Sequence, residues 1–83
     1  MPKPVNGRYR MTQTNPPPMP GEGPWDVRVT DAALLCWPLT YPVAAPGVYT
    51  LAPGMGVECV GNGHYIAVGP HGNREGTCEY LGP

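Results

Sequence analysis

From Trp25 to Thr30 the chain alternates without a break. Trp25, Val27 and Val29 fall on one face, and Asp26, Arg28 and Thr30 on the other. A period of two is the pattern of a half-buried strand. It predicts Trp25, Val27 and Val29 as core anchors, with Trp25 fixing where the preceding segment leaves the folded body.

Similar short runs follow. Gly47-Val48-Tyr49-Thr50-Leu51 stands between two Ala-Pro-Gly turns, and Gly56-Val57-Glu58-Cys59-Val60 comes next. Gly61-Asn62-Gly63 leads straight into His64-Tyr65-Ile66-Ala67-Val68; an Asn-Gly pair supplies the positive φ of a tight hairpin. Thr77-Cys78-Glu79-Tyr80-Leu81 reads as the last strand. Residues 31–37 fit either one capped helical turn or a buried strand, Ala33 to Trp37. Pro42 and Pro46 make residues 38–46 a loop, and residues 69–76 (GPHGNREG) read as a second, polar loop. The sum is an all-β fold: a small barrel-like or sandwich domain of five to six short strands.

Residues 1–24 read differently. Seven of the 13 prolines lie there, and no period of 2 or 3.6 stands out. Asn15 to Pro20 predicts an extended polyproline stretch, and Gly21-Glu22-Gly23-Pro24 a hinge. The predicted organisation is an extended Pro/Gly-rich basic arm over 1–24 and a small β domain over 25–83.

Composition narrows the class. With 13 Pro and 12 Gly in 83 residues, helical bundles, coiled coils and Rossmann-type domains are excluded. The chain contains no Ser, which removes serine-nucleophile chemistry, and its apolar runs are far short of the ~20 residues that cross a bilayer. The first residues hold no apolar core of a secretory signal, so no visible signal directs secretion. One Lys and one Ile beside abundant Pro, Gly and Ala suggest a GC-rich coding sequence.

Charge divides where composition does. Lys3, Arg8 and Arg10 stand without an acid up to residue 20; beyond it six carboxylates outnumber Arg28 and Arg74. A basic segment on an acidic body suits docking onto an acidic protein surface. The candidate partner-binding residues are therefore Lys3, Arg8, Tyr9 and Arg10, with Pro16, Pro17, Pro18 and Met19 of the polyproline stretch.

Candidate chemistry is sparse. Cys59, His64, His71 and Cys78 have the right atoms for tetrahedral Zn²⁺, but the spacing C-x4-H-x6-H-x6-C lacks the close ligand pair of most structural sites. Cys59 and Cys78 also fall on the two strands flanking His64 to Val68. In a flat sheet that separation is about 10 Å, which argues against both a shared metal and a disulfide. The expectation is three free cysteines acting as small hydrophobes, no metal and no cofactor. Gly61-x-Gly63 lacks the following Lys and Ser/Thr of a phosphate loop. Arg8-Tyr9-Arg10 is too small a basic patch to hold nucleic acid against an acidic body.

These readings predict a non-enzymatic structural or assembly protein. Its partner would be a larger protein assembly or neighbouring copies of itself, with neither nucleic acid nor membrane involved. The setting expected is an accessory virion component, a capsid decoration or cement protein of a tailed phage, found in the virion or the host cytoplasm. A cytoplasmic protein-binding module or inhibitor is the alternative, and a small zinc-binding domain the second alternative.

Overall fold

The structure is a computed structural model and describes residues 4–60 and 63–83, with the Val60 side chain left aside. Eight antiparallel strands close into one barrel: β1 (Gly7–Asn15), β2 (Trp25–Val29), β3 (Ala33–Cys36), β4 (Leu39–Ala45), β5 (Val48–Ala52), β6 (Met55–Val60), β7 (His64–Gly69) and β8 (Gly72–Gly82). Each strand pairs with its neighbour in sequence, and β8 returns to pair with β1. Closure gives every strand a partner on both sides over at least part of its length. The all-β barrel class is as the sequence predicts, with two or three strands more. Among the described residues no helix is long and apolar enough to cross a membrane.

The largest correction concerns residues 1–24. Gly7–Asn15 is no arm: it is β1, a full member of the barrel. It pairs with β2 from Gly7↔Val29 to Met11↔Trp25, and with β8 from Arg8↔Gly82 to Asn15↔Glu75. The alternation was present but unusual. Tyr9, Met11 and Gln13 point inward at 7%, 3% and 4% exposure, while Arg8, Arg10 and Thr12 are exposed. A glutamine in the third inward position hides the apolar period. Only 16–24 remains a Pro-rich connection, joining β1 to β2.

Two predicted loops are also strand. Residues 39–45 form β4 despite Pro42, and β8 begins at Gly72, within the expected polar loop. The proline fits because of its position. The Val43 amide donates to the Ala32 carbonyl on the β3 side, so the nitrogen of the preceding residue, Pro42, faces the other way. That way lies β5, whose ladder with β4 starts only at Val43↔Tyr49. No ladder donor is missing. Residues 31–37 resolve as strand β3, bounded by a turn in which the Thr30 hydroxyl accepts from the amides of Ala32 and Ala33. The Gly61-Asn62 part of the predicted hairpin lies outside the described residues.

The barrel has two unlike ends. At one, Tyr9, Val29, Leu34, Tyr49, Cys59 and Tyr65 fill the interior. Tyr9 donates its hydroxyl hydrogen to the Val5 carbonyl and meets Tyr80 edge-on at 5.3 Å. At the other end the wall parts. β3 pairs with β2 only at Arg28↔Leu35 and Val29↔Leu34, and β4 with β5 only at Val43↔Tyr49 and Ala45↔Val48. Both short ladders lie at the filled end. The β3–β4 hairpin is therefore anchored at its base, while its tip, Trp37-Pro38, stands away from both neighbours.

Candidate binding site at the open end of the barrel

The parted wall exposes a cavity of about 420 Å³. Its deeper walls are Met11, Val27, Leu34, Val57 and Ala67, with Tyr65 among them. The hairpin contributes Cys36, Trp37, Pro38, Leu39 and Tyr41, and β2 contributes Trp25. Strand alternation explains the inward set, since every second residue of a barrel strand faces the interior. The splayed hairpin explains the rest.

One side of the mouth is polar. Arg74, on the inner face of β8, donates to Gln13 Oε1 at 3.3 Å and pairs with the carboxylate of Glu22. Gln13 in turn donates to the Pro16 carbonyl at 2.7 Å, which satisfies a side chain that is otherwise buried. Glu22 comes from the 16–24 connection, where a small turn presents it. The Met19 amide donates to Glu22 Oε1 at 2.8 Å, and the Glu22 amide donates to the Met19 carbonyl at 2.9 Å. The Met19 amide, then Arg74, hold the Glu22 carboxyl below its ordinary range. Burial pushes the Tyr41 and Tyr65 hydroxyls and the Cys36 thiol up. Among the described lining residues no histidine stands with Cys36.

The rim is strongly apolar. Trp37 is 91% exposed, and Trp25, Leu39 and Met19 are exposed beside the same mouth. Trp25 is thus corrected as a core anchor. Its ring packs beside Gly23 and over the cavity edge at 41% exposure, whereas Val27 and Val29 are buried as predicted. Trp25 is the first residue of β2, at the open end, where no inner side chains cover it.

The predicted partner-binding residues do not form one surface. Lys3 lies outside the described residues. Tyr9 is buried in the core. Arg8 and Arg10 lie on the outer face of β1, where Arg10 reaches Asp26 at 3.4 Å and Arg8 stands directly across from Arg28. Pro16, Pro17, Pro18 and Met19 are exposed in the connection at the open end.

The four candidate zinc ligands are not brought together. Cys59 and Cys78 face inward at the filled end, while His64 is exposed on β7 and His71 sits in the β7–β8 turn at the opposite end. The flanking placement of Cys59 and Cys78 is as the sequence implies, but the flat-sheet separation does not carry over to their side chains. Barrel curvature turns both inward, and both thiols are free. Their mutual interaction, then burial, pushes Cys59 up, and the same interaction lowers Cys78.

Trp37, Leu39, Tyr41 and Arg74 are the site residues that sequence reasoning missed. A Trp-Pro pair between two short apolar runs is a turn signal, and a tryptophan in a turn has no core to enter. Comparison with protein-family models, with curated proteins and with solved structures finds no match to this chain.

Proposed function

We propose that this chain is a non-enzymatic assembly protein that docks onto a larger protein partner through the open end of its barrel. The observation that carries this reading is Trp37, an indole 91% exposed at the tip of a strand-built hairpin, flanked by the exposed Leu39 and Trp25. Contiguous exposed apolar surface of this kind marks interaction sites, and tryptophan is among the residues that dominate interface energies. Pro16 to Met19 stand at the same end, so the polyproline stretch extends the docking rim; it does not reach out as an arm. The setting we propose is a virion, with the protein as a decoration or cement component of a tailed phage. Small size, a closed barrel and the GC-rich coding sequence that the composition suggests support it.

The test is association of the full chain with its native particle. Trp37→Ala should melt like the parent protein yet lose co-sedimentation with that particle. Retained co-sedimentation would overturn docking through this end. Recovery of a discrete one-to-one complex with a single host protein would replace the virion setting and keep the docking end.

A further inference from the structure

Beneath the rim, the cavity has the size of a small-molecule site, and barrel mouths are a common place for such sites. The cavity shares Trp25 and Pro38 with the docking rim, while its floor of Met11, Val27, Val57 and Ala67 lies inside the barrel. The walls are apolar, and toward the mouth Trp25, Tyr41 and Pro38 frame a slot, with Tyr65 deeper. Among the described lining residues Arg74 is the one cation. Arg74 is fixed by Gln13, whose own side chain is 4% exposed and held by the Pro16 carbonyl.

The partner of Arg74 is informative. Glu22 belongs to no strand; a connection carries its carboxylate to the cavity mouth and sets it on the guanidinium. The carboxylate stands where the charged head of a ligand would stand. A guanidinium offers five donors in a planar fork suited to a carboxylate, and among the described residues the Arg74 contacts to Gln13 and Glu22 both use Nη1. We infer that the cavity takes a small organic acid with a flat apolar body, whose carboxylate replaces Glu22 on Arg74 while its rings enter the slot. The acid head gains a preorganised cation, and it must outcompete a Glu22 side chain that is 28% exposed and also held by the Met19 amide.

Calorimetric titration of the full chain with naphthylacetate and with its neutral analogue naphthylethanol tests this. At neutral pH and low salt the acid should bind about tenfold more tightly, the scale of one charge-assisted hydrogen-bonded pair. Arg74→Met should abolish that preference, and naphthylethanol titrated into the same variant reports whether the cavity is still formed. Glu22→Gln should tighten naphthylacetate severalfold by removing the competing charge. Equal affinities in the parent protein, a preference that survives Arg74→Met, or no binding of either probe at millimolar concentration would overturn the inference. So would an unchanged or weakened acid affinity in Glu22→Gln, a variant that leaves the β8 wall intact.

Discussion

Tyr65 and Gly76 lie directly across from each other on β7 and β8, and the tyrosine ring occupies the space a side chain at 76 would need. A Cβ built there would stand 2.6 Å from Tyr65 Cε1, and closer still to the Thr12 carbonyl of β1. At Gly76 a side chain would collide with the first strand as β8 pairs with β1, so the residue sits on the closure of the barrel. Gly76→Ala should cost about 3 kcal/mol or more, at the upper end for overpacking, because a backbone carbonyl cannot swing aside. Gly69→Ala, in the same sheet with open space around it, should be within about 1 kcal/mol of neutral. Chemical denaturation of both variants checks the pair, and similar losses would mean that closure does not run through residue 76.

The two ends of the barrel should respond differently to truncation. Tyr49 is 1% exposed at the filled end, and Tyr49→Ala should cost roughly 3–5 kcal/mol. Trp25→Ala, at the half-open mouth, should cost about 1–2 kcal/mol in proportion to its lesser burial. Arg28→Ala should fall within about 0.5 kcal/mol of neutral, since its side chain is exposed and faces the like charge of Arg8. Thermal melts that rank Trp25→Ala with Tyr49→Ala would place the core at the wrong end.

Cys59 and Cys36 should separate by reactivity. Cys59 is 1% exposed, and its thiol is held neutral by its interaction with Cys78 and by burial. Under native conditions it should be alkylated only through global opening, at a rate that follows unfolding stability. Cys36, at the cavity mouth, should react before it despite a thiol raised by burial. Mass-spectrometric mapping of partial alkylation gives the order, and early modification of Cys59 would contradict the packing of the filled end.

Acid should loosen the 16–24 connection. The Glu22 carboxyl is held below its ordinary value of 4.5, first by the Met19 amide and then by Arg74. A depressed carboxylate contributes to stability above its unfolded value, and that contribution disappears as pH falls through the folded one. The Met19 amide resonance should therefore shift with a midpoint below 4.5, and Arg74→Met should raise that midpoint without restoring it fully. A midpoint at or above 4.5 in the parent protein would contradict the contact.

At high pH the sign is the opposite. Burial pushes the Tyr49 hydroxyl from 10 up to about 12. Its neutral form is favoured in the fold, so stability is complete below pH 10 and declines as pH rises from there through about 12. Thermal midpoints should fall across that window, and Tyr49→Phe should flatten the decline. An unchanged slope in Tyr49→Phe would assign the loss to other tyrosines.

Much of the fold was legible locally. The alternation from Trp25 to Val29, the Ala-Pro-Gly turns and the short runs at β5, β6 and β7 follow from two-residue periodicity and turn chemistry, which act between near neighbours. They determined an all-β fold of short strands and placed Cys59 and Cys78 on either side of β7. What only the tertiary structure decided is non-local. Gln13 reads as polar surface until Pro16 and Arg74 satisfy it inside the barrel. Pro42 reads as a breaker until its nitrogen is seen to face a ladder that has not begun. Glu22 and Arg74 are 52 residues apart in sequence and meet only because β8 closes on β1. Closure also parts the wall at one end, which carries Trp37 out of the core and opens the cavity. Periodicity records which face of a strand is inward; it carries no record of which strands meet, and the candidate site is made where they meet and where they part.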